Sequence, residues 1–207
     1  MFSKLQYISQ GKTTKEQLYN IHQALDNGSD WIQLRFKNRN PQELFTLAEA
    51  IKTLCEEYLA TFIINDNVDL AVHINADGVH LGLNDMKIED ARNILGNHKI
   101  IGGTANTIED VLQRIKENCD YIGLGPFRFT TTKDNLSPIL GLRGYQNIVA
   151  QMKVQNLDIP VYAIGGIRLE DTESLMETGI HGIAISGLIT ENPQLLTQLN
   201  EKLYVNI

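Results

Sequence analysis

The stretch Trp31–Lys37, WIQLRFK, decides how the whole chain is read. Its alternation puts Ile32, Leu34 and Phe36 on one face of a strand and Gln33, Arg35 and Lys37 on the other. In a half-exposed sheet the second face would simply meet water. In a strand covered on both faces it would bury an amide beside two cations, and buried cations require anionic partners.

Outward from this stretch, strand-like runs alternate with amphipathic helical ones along the chain. KLQYIS is followed by a helix around Lys15–Asn27, with Leu18, Ile21 and Leu25 as its apolar stripe. WIQLRFK precedes a helix at Pro41–Leu59, where Pro41 suits the first turn. TFIIND precedes Val68–Ile74, GVHLGL precedes Ile88–Leu95, and IIGGTA precedes Ile108–Asn118. YIGLGPF leads through a break to a helix around Gly144–Gln155, VYAIGG to Leu169–Thr178, and GIAISGLI to Pro193–Tyr204. Eight such pairs in 207 residues predict an α/β chain forming a single (β/α)8 TIM barrel. The expected domain spans 1–207, with the active site at the C-terminal ends of the strands. Ile32, Leu34 and Phe36 would then face helices, and Gln33, Arg35 and Lys37 would point inward toward that end. The segment Thr130–Arg143, TTTKDNLSPILGLR, carries Gly, Pro, Ser and Asn and predicts a long, mobile active-site loop.

Composition narrows the function classes. Apolar content of 43% and charged content of 21% are ordinary for a globular chain. A net charge of −7 argues against a general nucleic-acid binder and makes any local cationic cluster stand out. Cys55 and Cys119 have neither metal nor disulfide spacing and read as reduced packing residues. The N-terminal MFSKLQYISQ lacks the apolar run of a signal peptide, and no stretch approaches a membrane span, so the expected location is cytoplasmic and no membrane partner is expected. The pattern leaves a homo-oligomer open.

Chemistry-bearing residues recur where the strands end. Asn65 and Asp66 follow TFII; Asn84 and Asp85 follow GVHLGL. Asp66 and Asp85, at neighbouring strand ends, can hold one divalent cation with several waters, as Mg2+ prefers. Helix capping is the alternative use of Asn and Asp at such positions. Thr130, Thr131, Thr132 and Lys133 offer hydroxyls and an ammonium to phosphate oxygens. Gly165 and Gly166 after the seventh strand, and Ser186 and Gly187 after the eighth, occupy the loops that commonly bind phosphate in barrels. Arg35, Lys37, Lys133 and Mg2+ outweigh the two aspartates by enough positive charge to suit a pyrophosphate, while the glycine loops suit a phosphate monoester. Two phosphorylated ligands in one barrel mouth imply a transfer between them, or one bisphosphate substrate. His73 and His80 lie near strand ends without a partner at metal spacing and read as surface or core histidines; His22 and His98 read as exposed, and His181 as a loop residue. No nucleophile elbow, P-loop or dinucleotide fingerprint is present.

QLRFK, IIND, DGVHLGLND, IGGTANT, DYIGLGPF with TTTK, and AIGGI, in this order over about Tyr7 to Leu188, resemble the thiamine-phosphate synthase family. The resemblance implies a (β/α)8 transferase that joins 4-amino-2-methyl-5-hydroxymethylpyrimidine pyrophosphate to a thiazole phosphate, releasing pyrophosphate. It implies that Gln33, Arg35, Lys37, Asn65 and Lys133 hold the pyrimidine pyrophosphate, with Arg35, Lys37 and Lys133 catalytic. Asp66 and Asp85 would bind Mg2+. Thr104, where the family usually has Ser, would serve the same pyrophosphate. Thr130, Thr131 and Thr132 would line the thiazole phosphate site, and Gly166, Ser186 and Gly187 would hold its phosphate. The implied mechanism is dissociative, through a pyrimidinylmethyl cation, and needs no enzymic nucleophile.

Three positions depart from the family pattern. Gly187 stands on a family Ser, Asn106 where the family often has His, and Phe129 replaces the usual Pro before Thr. A thiazole tautomerase-like barrel is one competing reading; its catalytic His would fall near Asn106, and it does not need the pyrophosphate cluster. A non-catalytic barrel that binds thiamine phosphate is another, disfavoured by retention of every charged pyrophosphate residue.

Overall fold

Parallel strands surrounded by helices form a closed barrel in the structure, a computed structural model that describes residues 2–130 and 137–204. The strands are β1 Leu5–Ile8, β2 Trp31–Leu34, β3 Thr61–Asn65, β4 Gly78–Leu81, β5 Ile100–Ala105, β6 Tyr121–Leu124, β7 Val161–Ile164 and β8 Gly182–Ile185. Between them run α1 Thr14–Asp26, α2 Pro41–Glu57, α3 Val68–His73, α4 Ile88–Leu95, α5 Ile108–Lys116, α6 Gly141–Val154 and α7 Thr172–Glu177, the last after a 3-10 turn at Leu169–Asp171. After β8 come α8 Gly187–Glu191 and α9 Leu195–Tyr204. Each strand pairs with its sequence neighbours, and β8 closes on β1 through Leu5↔Ile183 and Tyr7↔Ile185. The expected (β/α)8 architecture is the observed one.

Strand pleating sorts the side chains into two cores. Ile32, Leu34, Phe62, Ile64, Val79, Leu81 and Ile122 pack outward against the helices. Ile8, Trp31, Ile63, Tyr121, Tyr162 and Ala184 fill the barrel interior. Phe2 lies against the interior group, its ring stacked on Trp31 with centroids 5.3 Å apart.

Four local expectations are corrected. β2 ends at Leu34, not Lys37. Ser9 N donates to Gln33 O, and the next backbone donor, Arg35 N, turns to the Ser9 hydroxyl at 3.0 Å instead of a neighbouring strand. Phe36 stays buried, but Arg35 is half-buried and Lys37 exposed, so the cations sit at the rim and not inside. On α1, Leu18 lies at the surface and Gln17 is buried, because the Gln17 amide donates to Gly11 O and Arg35 O beneath the β2 loop. α6 starts at Gly141, three residues before the expected Gly144, where Leu140 N and Gly141 N donate to Pro126 O and Phe127 O and tie the helix start to the end of β6. Finally, the helix expected from Pro193 is α9, and the short α8 before it was not foreseen.

Cys55 on α2 and Cys119 before β6 are free and buried, and burial pushes each thiol pKa up to about 12. No helix among the described residues is long and apolar enough to cross a membrane.

Candidate active site

A cavity of about 530 Å³ opens at the C-terminal ends of the strands. Its wall includes Arg35 after β2, Thr104 near the end of β5, Thr130, Gly166 after β7, and Ser186 and Gly187 after β8. A second, smaller hollow of about 330 Å³ is lined by Lys37, Asn65 and Asp66 among others. Gln33 lies beneath, buried, donating to Asn65 Oδ1 at 2.9 Å. Its Oε1 is buried without a hydrogen-bond partner among the described residues, as is the Ser186 hydroxyl. Orphaned buried oxygens are costly, and the Ser186 hydroxyl, in the cavity wall, marks where a ligand can supply a missing partner. Thr131, Thr132 and Lys133, within the stretch 131–136 of the expected mobile loop, lie outside the described residues.

Asp66 and Asp85 come together although they lie 19 positions apart in the sequence, close enough for the Asp66 carboxyl to act on that of Asp85. Burial first, then the neighbouring Asp66 carboxylate, raises the Asp85 pKa above the ordinary carboxylate range. Lys37 Nζ lies 2.5 Å from Asp66 Oδ2, and Gly82 N donates to Asp85 Oδ2 at 2.6 Å. A Cβ on Gly82 would sit 2.7 Å from that oxygen, so any larger residue there would have to push the Asp85 carboxylate aside. Helix capping does not account for either acid: Asn67 caps α3 by accepting from Leu70 N, and α4 starts after Lys87 with no side-chain cap. Asp66 also holds φ at +64°, an uncommon conformation for a residue with a side chain. Among the described residues no three His, Cys, Asp or Glu side chains cluster as a metal cage. Two adjacent carboxylates nonetheless fit Mg2+, which is commonly held by one or two carboxylates plus substrate phosphates and waters. Like-charged carboxylates this close are relieved by a cation.

The loop after β7 is held from behind. Gly165 and Gly166 have φ of +95° and +67°, and a Cβ on Gly166 would lie 2.9 Å from Phe129 O. Arg128 donates to Gly166 O at 2.6 Å and forms a two-pronged pair with Asp171 at 2.8 and 2.9 Å. Asp171 also accepts from Arg168 N, so one carboxylate joins the β6 and β7 loops. Sequence reasoning missed Arg128 and Asp171, which share no motif, and Gln10 and Arg168, which line the cavity. Asn106 is buried, its amide donating to Gly125 O and Pro138 O at 2.9 Å each, so it clamps both ends of the β6–α6 connection.

Fold and mouth together define a (β/α)8 barrel whose rim gathers cations, hydroxyls and glycine loops suited to phosphate groups. The family described as thiamine monophosphate synthase matches residues 5–189. The chain belongs to that family. It is 65% identical over 210 residues to a thiamine-phosphate synthase of Flavobacterium johnsoniae, covering 100% of this chain and 99% of the relative. It is 68% identical over 206 residues to that of Flavobacterium psychrophilum, covering 98% and 100%. A solved thiamine phosphate pyrophosphorylase from Pyrococcus furiosus superposes with a TM-score of 0.82 at 31% identity, covering 97% of this chain and 96% of that one.

Proposed function

We propose that the chain forms thiamine phosphate from the pyrimidine pyrophosphate and a thiazole phosphate by ionisation followed by capture. The single observation that carries this reading is the division of the mouth. A Lys37–Asp66–Asp85 cluster stands on one side, and a glycine-and-hydroxyl cavity with Arg35 on its wall extends to the other.

The pyrophosphate end of the pyrimidine substrate is placed near Arg35 and Lys37, where positive charge favours the departing anion. Asp66 and Asp85 would hold Mg2+, which supplies further neutralisation of that charge. The methylene C–O bond breaks, its electron pair leaves with pyrophosphate, and the ring amino group stabilises the resulting cation. Gly166, Ser186 and Gly187 anchor the thiazole phosphate, so that the thiazole nitrogen forms the new C–N bond from a fixed position. Lys133 and the threonines Thr130 to Thr132 take their roles from the family resemblance. Position 106 does not favour proton-transfer chemistry, because its side chain is an amide engaged with two carbonyls.

The test is direct. Purified protein, both substrates and Mg2+ should give thiamine phosphate and pyrophosphate in equal amounts, and a chelator should stop both. Neither the tautomerase nor the non-catalytic reading provides Mg2+-dependent pyrophosphate release, so its absence would sink this one.

A further inference from the structure

The interior of a (β/α)8 barrel is ordinarily filled by apolar layers. Here a polar chain crosses it. Gln6 Nε2 on β1 donates to the Tyr121 hydroxyl on β6 at 3.2 Å. That hydroxyl lies 3.1 Å from His80 Nδ1 on β4. His80 Nε2 lies 3.1 Å from the Thr104 hydroxyl on β5, and Thr104 lines the cavity. Two strand glycines leave room for the rings: a Cβ on Gly102 would fall 2.1 Å from the Tyr121 ring, and one on Gly123 would fall 3.1 Å from His80 Cε1.

Proton counting gives the chain a direction. A phenol has one proton. The Tyr121 oxygen already receives a proton from Gln6, and burial raises its pKa, so the phenol stays protonated. Its own proton therefore goes to His80 Nδ1, the other partner among the described residues. An imidazole accepting at Nδ1 carries its proton on Nε2 when neutral and donates to Thr104 Oγ1. A charged imidazole would instead aim a second donor at the phenol and leave the phenol proton stranded in the interior. With its oxygen already accepting, Thr104 has its hydroxyl proton left to give to the cavity. Phosphate oxygens accept hydrogen bonds and do not donate them; reversed polarity would turn the Thr104 lone pairs toward an anion.

We propose that His80 is a positioning residue whose tautomer, set from the barrel floor by Gln6 and Tyr121, fixes Thr104 as a hydrogen-bond donor to the leaving pyrophosphate. This rests on the reading of Thr104 as a contact of the pyrimidine substrate.

The first measurement uses the unaltered protein. Nitrogen-15 spectra of histidine-labelled protein, with the His80 signals assigned through a His80→Gln variant, should show Nε2 protonated and Nδ1 accepting near neutral pH. Protonation at Nδ1, or at both nitrogens, overturns the relay whatever the variants do. The second measurement is kinetic. Thr104→Val should lower kcat by about 100-fold, the size seen when one donor to developing charge is removed. His80→Leu should lower kcat by roughly tenfold or more with little change in KM, and His80→Gln, which keeps a donor near Nε2, should recover most of it. In a Thr104→Val background His80→Leu should cost little further, because the group it positions is gone. Fully additive losses would overturn the proposal. An unchanged kcat in Thr104→Val would remove Thr104 from the substrate, and the relay's purpose with it, while leaving the family reaction standing.

Discussion

Asp66 and Asp85 are poorly placed for a protein without a ligand. Burial and the neighbouring carboxylate both disfavour the charge on Asp85, and among the described acids Lys37 pairs directly with Asp66 alone. Asp66→Ala and Asp85→Ala should each reduce turnover by roughly 100-fold or more, because charge neutralisation of the leaving group is lost. Neither should unfold the chain, since each removes one member of a repelling pair. Thermal melting beside steady-state kinetics checks both points, and near-normal turnover at limiting Mg2+ would refute the metal assignment. Arg35 differs from Lys37 in making no ion pair with a described acid while being half-buried. Arg35→Met should therefore leave stability unchanged or raised. It should weaken the pyrimidine pyrophosphate and slow its ionisation. A large loss of stability with unaltered kinetics would show that Arg35 serves the fold instead.

At the scale of elements, the wall proposed to anchor a phosphate depends on backbone shape. Gly166 sits at positive φ with Phe129 O and the Arg128 side chain against its missing Cβ. Gly166→Ala should destabilise by roughly 1–3 kcal/mol, the cost of holding a side chain in the left-handed region. The same change should raise KM for the thiazole phosphate more than KM for the pyrimidine substrate. Denaturant titration gives the first quantity and paired saturation curves the second; equal effects on both KM values would mean that this loop does not belong to one substrate. The β6–α6 connection was expected to run to Arg143, yet its described end is fixed earlier by backbone bonds from Leu140 and Gly141 and by the Asn106 clamp. None of these contacts has a sequence period.

Over the whole molecule, acid stability gives a test with a definite sign. The Arg128 guanidinium, followed by the Arg168 backbone N–H, holds the Asp171 pKa below the ordinary carboxylate value against the opposing effect of burial. A carboxylate whose folded pKa is depressed stabilises the fold fully above its unfolded pKa. That contribution is lost as pH falls from the ordinary value of about 3.9 through the lower folded one. Asp171→Asn should destabilise modestly at neutral pH and flatten the acid limb of the stability curve below about pH 4. Urea midpoints taken from pH 7 down to pH 2.5 would show it, and an acid limb as steep as the unaltered protein's would contradict the assigned role.

The sequence by itself determined the barrel. Strand and helix periods alternate eight times, and a period is a local property that each segment carries alone. It also marked Arg35, Lys37, Asp66, Asp85, Gly166 and Ser186, because they follow strands and strand ends converge in this fold. Only the tertiary structure decided which way those residues are used. Lys37 is at the rim because β2 stops when Arg35 N bonds to Ser9, a partner 26 residues away. Asp66 and Asp85 are neighbours rather than caps because β3 and β4 pair side by side. The Gln6–Tyr121–His80–Thr104 chain needs four strands to meet across the closed barrel. Such contacts depend on long-range closure and on single-atom geometry, and neither leaves a repeat along the chain for a local pattern to reveal.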